Sequence, residues 1–437
     1  MNKKISKWHR LDNSAKIYPM MEQRDKHNLF RITFVMKQDV APDVLQKALE
    51  LTLTRFPSFK VRLKKGFFWY YFDTNDSMPT KIYPLDPAPL RKVVAKKNND
   101  YCFKISYYNK LITGDFFHAL CDGVGASCFM KSLVYTYVNL LGYDVASECK
   151  IMTIGSPVQP SELEDSFLAN YKKVKIKDLN ISSLKGDKKK AYLIKGIMFE
   201  DNGTGIIHVY CPIADLLAKA KEKGCTATEL LTAIFILSIY EAQIEGKNND
   251  AGNIQIFCPI NLRKIFNSNT LLNFSLFSRI SANPHTDMDM DTLISIVHDC
   301  LQRDTDKELL SSKISTTVMG EKFFLMRIMP LFIKQLIFKI SNLFIGKNKK
   351  TATFSNVGIL QLPDGLRDHV ESASVSISVN QTTPVSLTAL TTYETLCLTF
   401  TRCITDTAIE RAFVKHLQDL GIDVSVNSNM WEVNYAL

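Results

Sequence analysis

No C-x-x-C pair occurs among the ten cysteines of this 437-residue chain, and several sit inside apolar runs such as Ile256-Phe257-Cys258-Pro259. That argues against a zinc site or a disulfide frame and points to reduced, buried thiols in a cytoplasmic protein. The N-terminus, Met1 to Trp8, has no apolar signal core, so secretion is not expected. No low-complexity tract and no exact short repeat is present. An uncharged apolar run of the roughly 20 residues that a bilayer-spanning helix needs is also missing. The nearest approach, Phe323 to Ile345, is interrupted by Arg327, Pro330, Lys334 and Lys339. It reads as an amphipathic helix packed on the core or walling an apolar channel. Membrane contact at the interface is the less favoured alternative.

A chain of this length suits two medium lobes, and 46% hydrophobic with 22% charged residues is ordinary for a folded protein. The formal charge of +10 is spread over patches at Lys172–Lys177, Lys185–Lys190 and Lys347–Lys350. Such patches attract nucleic acid, anionic lipid or a phosphate-bearing molecule, or are simply solvated loop lysines. No nucleic-acid motif accompanies them, so no nucleic-acid partner is expected.

Strand and helix patterns alternate along the chain. Leu29–Met36 predicts a strand, Val44–Arg55 a helix started by Pro42, and Phe67–Phe72 an aromatic strand after a turn at Gly66. Tyr101–Phe117 gives strands broken near Asn109, followed by a helix from about Gly125 to Leu141, stopped by Gly142. Further strands are expected near Ala191–Phe199, Gly205–Pro212, Ile254–Cys258, Leu272–Ala282, Thr351–Ser355, Ser372–Ser378, Val385–Thr392 and Thr395–Arg402. Helices are expected near Ala214–Lys223, Thr226–Glu245, Met288–Gln302, Lys322–Ile345 and Ala408–Leu420. The fold class is α/β, in two comparable halves that each carry a mixed β-sheet with helices. The divisions are an N-terminal lobe over 1–165, an interlobe connection over 166–190 and a C-terminal lobe over 191–437.

His118 ends the strand-like run Leu111–Phe117, and Asp122, Gly123 and Gly125 follow it into a helix. A strand-to-helix corner projects a side chain into a cleft, and a neutral imidazole accepts a proton near pH 7. The plainer alternatives are a structural histidine and an Asp122 that only caps the helix. Two distant segments shift the balance: Pro259-Ile260-Asn261-Leu262-Arg263 at a strand end, and Ser355-Asn356-Val357-Gly358 after a strand.

Together, His118-x-x-x-Asp122-Gly123 and these two segments resemble the chloramphenicol-acetyltransferase-like superfamily of HxxxDG acyltransferases. The look is nearest to bacterial alcohol acetyltransferase-like and condensation-domain-like members. The resemblance implies two similar lobes with an active-site tunnel between them, and His118 as the general base that deprotonates the acceptor. It places Asp122 in the catalytic motif, pointing away from substrate and paired with Arg263. Gly123 and Arg263 support the site, and Ser355 and Asn356 contact substrate or the developing oxyanion. Asn273-Phe274 is a further candidate for the tunnel wall. No metal and no resident cofactor are expected; acyl-CoA is the co-substrate, a small hydroxylated molecule the acceptor, and an acyl carrier protein the alternative donor. One departure from the family stands out: many relatives have two adjacent histidines, and here the first is Phe117. That, with no adjoining carrier or adenylation region in the sequence, argues against a typical condensation domain. A binding module that keeps the tunnel without turnover is the remaining alternative.

Overall fold

The computed structural model describes residues 8–22, 28–79, 82–85, 89–90, 98–149, 151–173, 190–200, 203–245, 253–284, 289–345 and 350–429. In chain order the first half contains β1 (Trp8–Arg10), α1 (Tyr18–Met21), β2 (Leu29–Met36), α2 (Pro42–Arg55), β3 (Val61–Lys65) and β4 (Tyr70–Thr74). It continues with β5 (Tyr83–Pro84), β6 (Phe103–Tyr108), β7 (Leu111–Phe117), α3 (Gly123–Leu140) and α4 (Ser166–Ala169). The second half opens with β8 (Gly205–Pro212), α5 (Ile213–Glu222), α6 (Ala227–Gln243), β9 (Ile254–Asn261), α7 (Arg263–Phe266) and β10 (Ser275–Ala282). Then come α8 (Met290–Thr305), α9 (Lys307–Lys322), α10 (Phe324–Ile328), α11 (Leu331–Ile345) and β11 (Ala352–Leu360). The chain closes with β12 (Val370–Ile377), β13 (Val385–Thr392), β14 (Thr395–Arg402), α12 (Ala408–Asp419) and β15 (Ser425–Ser428).

Each lobe is organised by a mixed sheet. The first has the order β12-β2-β7-β6-β5 and the second β10-β9-β11-β13-β14-β8-β15; a small sheet β1-β4-β3 flanks the first. Period-two alternation explains why these segments are strands. In β2, Phe30, Ile32, Phe34 and Met36 enter the first core, which leaves Arg31, Thr33 and Val35 on the other face. In β8, Ile207, Val209 and Cys211 enter the second core, and Ile206, His208 and Tyr210 take the opposite face. Helices cover one face of each sheet, and the two remaining faces meet along a seam. The Thr388 hydroxyl of β13 donates across it to the Val375 carbonyl of β12.

Four expectations differ from the structure. The aromatic strand begins only at Tyr70, because the Gly66 N–H donates to the Trp69 carbonyl at 3.1 Å and closes a tight turn. Ala191–Phe199 makes only isolated bridges, Ala191 to Asn253 and Met198 to Ile404, because both edges of β8 are taken by β14 and β15. Lys322–Ile345 is two helices broken at Pro330, and α9 before them was not anticipated. Its run of serines and threonines has weak helix propensity, but Asp306 caps it and Thr316 bonds back to the Ser312 carbonyl at 2.8 Å.

The fourth difference concerns the lobes. Strand β12 lies in the region assigned to the C-terminal lobe, yet it pairs antiparallel with β2 of the first sheet. Leu360, Leu362, Leu366, Val370, Ala373 and Val375 are accordingly part of the first core. An unpaired β2 edge would expose a row of backbone donors and acceptors, and the crossing segment removes it. In the expected connection over 166–190, Phe167 packs on Leu262, Phe274 and Leu310, while residues 174–189 lie outside the described residues.

Candidate active site

β7 delivers His118 to the seam. Its backbone N–H donates to the Asn28 carbonyl at 2.8 Å, extending the β2–β7 ladder by one step before the chain turns toward α3. The imidazole stacks on Tyr18 with ring centres 4.4 Å apart and meets the edge of Phe30 at 5.1 Å. Its Nδ1 lies 3.1 Å from Asn273 Oδ1.

The tautomer follows from what holds Asn273. Its Nδ2 donates to Asp12 Oδ2 at 3.1 Å, and its backbone N–H donates to the same oxygen at 3.2 Å. The other Asp12 oxygen accepts from the Ala15 N–H at 2.7 Å. With the amide nitrogen committed to Asp12, Asn273 presents a carbonyl oxygen to His118, so Nδ1 carries the proton and donates. Nε2 is then the unprotonated nitrogen with a free lone pair. Burial lowers the His118 pKa below its ordinary 6.5, while Asp122 nearby, its own backbone and Asn273 oppose that fall. The ring is therefore neutral at pH 7. Burial raises Asp12 to about 7, with the Asn273 hydrogen bond holding it down.

Asp122 makes no hydrogen bond to the imidazole among the described residues. Its Oδ1 caps α3 by accepting from the N–H groups of Val124 and Gly125, each at 3.2 Å. Its Oδ2 accepts from the Phe274 N–H at 3.0 Å. Arg263 completes the set as a fork, with Nη1 to Oδ2 at 2.8 Å and Nη2 to Oδ1 at 2.9 Å. The guanidinium also donates to the carbonyls of Thr270 and Leu272, at 2.8 and 2.6 Å. Both partners are buried. Asp122 thus ties the start of α3 to the 270–274 segment, which supplies Asn273 to His118.

Of the two glycines, Gly125 has the steric requirement. A Cβ there would run into the Leu271 carbonyl oxygen, whereas one on Gly123 meets nothing within 4 Å. Gly123 therefore leaves space beside the motif, and Gly125 is what lets α3 approach the segment carrying Asn273.

Ser355 and Asn356 lie on β11 in the second sheet. Ala352 and Phe354 of that strand face the second core, which puts Ser355 on the seam side. The Asn356 side chain is engaged locally: Nδ2 donates to Thr228 Oγ1 and Oδ1 accepts from the Gly358 N–H, both at 2.9 Å. This stabilises a bulge between Asn356 and Gly358, where Gly358 has φ +87°. The bulge turns Val357 onto the first core. No contact joins Ser355 or Asn356 to His118 among the described residues.

A cavity of about 1040 Å³ opens along the seam, with a rim of hydroxyl and amide side chains that includes Thr113, Ser374, Ser376 and Asn427. Arg31 lines it and forms a buried fork with Asp115, Nε to Oδ1 at 2.7 Å and Nη2 to Oδ2 at 2.8 Å. Asp115 lies three residues before His118 on β7, a separation of roughly 10 Å along a strand. His208 also lines the cavity, with Nδ1 3.0 Å from Thr399 Oγ1, and burial lowers its pKa to about 4.

Sequence reasoning singled out Asn273 but missed Tyr18, Arg31, Asp115 and above all Asp12. Asp12 and Asn273 are 261 positions apart, so no local spacing marks the pair. The hydroxyl-lined seam did leave a signal: Ser372, Ser374 and Ser376 recur with the period of a strand whose second face is polar.

No protein-family model and no curated protein matches the chain. Solved structures do. The first condensation domain of the calcium-dependent antibiotic synthetase matches with TM-score 0.62 at 11% identity, over 96% of this chain and 99% of that one. Trichothecene 15-O-acetyltransferase from Fusarium sporotrichioides matches with TM-score 0.59 at 13% identity, over 96% of each chain. The starter condensation domain of rhizomide synthetase, solved in complex with C8-CoA, matches with TM-score 0.59 at 12% identity, over 95% of each. At such identities the likeness speaks for architecture. The chain has the two-lobed α/β fold that these condensation domains and this acetyltransferase share.

Proposed function

We propose that the protein moves an acyl group from acyl-CoA to a hydroxyl of a small molecule, with His118 as general base. The observation behind this reading is the chain Asp12–Asn273–His118, which leaves Nε2 unprotonated at neutral pH. In the reaction Nε2 takes the acceptor's hydroxyl proton as that oxygen bonds to the thioester carbonyl carbon. The tetrahedral intermediate collapses as the carbon–sulfur bond breaks, and the imidazolium returns the proton to the departing thiolate. Asp122 and Arg263 hold the geometry without touching the reactants. Ser355 is assigned as a hydrogen-bond donor toward the oxyanion and Asn356 as a former of the wall.

The serine, threonine and asparagine side chains that line part of the mainly apolar cavity offer hydrogen bonds to a hydroxylated acceptor, and the complex of a structural neighbour with C8-CoA supports acyl-CoA as donor. The likeness to condensation domains keeps one second reading, a carrier-protein thioester as donor with an ester or amide as product. A cytoplasmic location is part of this proposal, and the unpaired cysteines among the described residues support it.

The test is release of free CoA by the purified protein offered short-chain acyl-CoAs and a panel of alcohols. Turnover that disappears in His118→Ala supports the proposal. No turnover with any CoA donor, but turnover with an acylated carrier protein, replaces it by the second reading. Tight ligand binding without turnover of either donor leaves a binding module.

A further inference from the structure

α11 is an inside-out amphipathic helix. Phe332, Leu336, Ile337 and Ile340 form one face, at helical spacing, and that face is exposed to solvent. The opposite face holds the polar groups. Lys334 is fully buried, donates to the Phe68 carbonyl at 2.8 Å and lies 3.6 Å from the centre of the Trp69 ring; Gln335 Nε2 donates to the Tyr70 hydroxyl at 2.7 Å. The preceding α10 exposes Phe324, Leu325 and Ile328, and the β3–β4 turn against which α11 is pinned exposes Phe67 and Phe68. Phe67, Phe324 and Phe332 are 70%, 69% and 64% exposed, and the Leu331 N–H donates to the Phe67 carbonyl, so neighbouring segments concentrate exposed apolar side chains rather than scatter them.

The segments that form this surface carry charge of one sign, with Glu321 at their edge held by Lys16. Residues 323–345 contain Arg327, Lys334 and Lys339 and no acidic residue, and residues 60–72 contain four lysines and arginines and none. Lys65, Lys322 and Arg327 are exposed at the border. Two copies of this face would repel each other, while an anionic sheet of lipid headgroups would complement it. Aromatic and aliphatic side chains ringed by cations are the composition of helices that lie in a membrane interface.

Spanning is not the geometry on offer. No single helix among the described residues is long and apolar enough to cross a bilayer, and α5 with α6, which pass together, bend by 86° around the buried second core. We infer that α10, α11 and the β3–β4 turn form a docking platform for an anionic membrane surface, on which the protein lies without inserting across it. α11 packs on α1, whose Tyr18 stacks on His118, so docking sets the candidate site one helix away from the lipid. The platform is separate from the chemistry, and its test does not depend on acyl transfer.

The experiment is co-sedimentation of the full chain with large vesicles of phosphatidylcholine, alone or mixed with phosphatidylglycerol. Binding to the mixed vesicles is expected to be about tenfold tighter or more, and to weaken as salt is added. The double variant Phe324→Glu, Phe332→Glu is expected to stay in the supernatant with an unchanged melting temperature. Failure of the wild type to sediment, or salt-independent sedimentation that the double variant retains, overturns the proposal. So does a wild-type dimer that the double variant dissolves, since a second copy then covers the face. A marked fall in the variant's melting temperature also overturns it, because the chain itself then covers the face.

Discussion

His118 and His208 are both largely withdrawn from water along the same seam, and burial pushes both imidazoles below their ordinary pKa. Their surroundings then separate them. His208 has a threonine hydroxyl and, at 3.7 Å, the Cys397 thiol as neighbours, with no charge to offset desolvation, and it falls to about 4. His118 has an amide oxygen held in place by a carboxylate, and the Asp122 charge nearby opposes the fall. Desolvation alone makes a neutral but weak base. Keeping a buried histidine useful near pH 7 requires compensating charge and an oriented partner.

The largest effect should come from exchanging the two roles. His118→Ala is expected to lower turnover by about 10² to 10⁴ with the fold retained, measured as CoA release alongside a thermal melt. His208→Gln should leave turnover within a few-fold of wild type; an equal loss in both would erase the difference between the two histidines. Next is the charge that sets them apart. Asp122→Ala strands buried Arg263 and should cost about 3–5 kcal/mol in chemical denaturation. In any folded Asp122→Asn protein, the pH midpoint of turnover should move to lower pH, toward the behaviour of His208.

His208 also makes a stability prediction with a definite sign. Its folded pKa lies below its unfolded one, so between pH 6.5 and 4 the unfolded chain binds the proton first. Stability should therefore be full above pH 6.5 and fall by on the order of 3 kcal/mol toward pH 4. His208→Gln should flatten that part of a denaturation series; an unchanged slope would show that another group is responsible. The smallest effect tests orientation. Asp12→Ala should lower kcat about tenfold with little change in KM, because Asn273 loses the acceptor that fixes its amide.

Much of this architecture was legible in the sequence because it depends on local periodicity. β2, β8, β13 and β14 match their predicted spans, since alternating side chains on a half-buried sheet write themselves into the chain. α3 was legible from its capping Asp122 and from Gly142, where φ is +97°. α9 was not, because capping and packing override its weak propensity. The exposed tip at Phe67-Phe68 looks like strand in the sequence because aromatic content reports hydrophobicity, not which side of it meets water. Gly123 and Gly125 look alike in sequence; only the approach of Leu271 tells them apart.

By itself the sequence determined the α/β alternation, the corner that projects His118, and a motif order that brought Asp122 and Arg263 under consideration together. Only the tertiary structure decided that Asp122 also binds the Phe274 N–H, that Asp12 stands behind Asn273, and that β12 completes the opposite sheet. The physical reason is range. Backbone propensity and amphipathic period act over a few residues, whereas a buried carboxylate finds its donors wherever packing delivers them, here 141 and 261 positions along the chain.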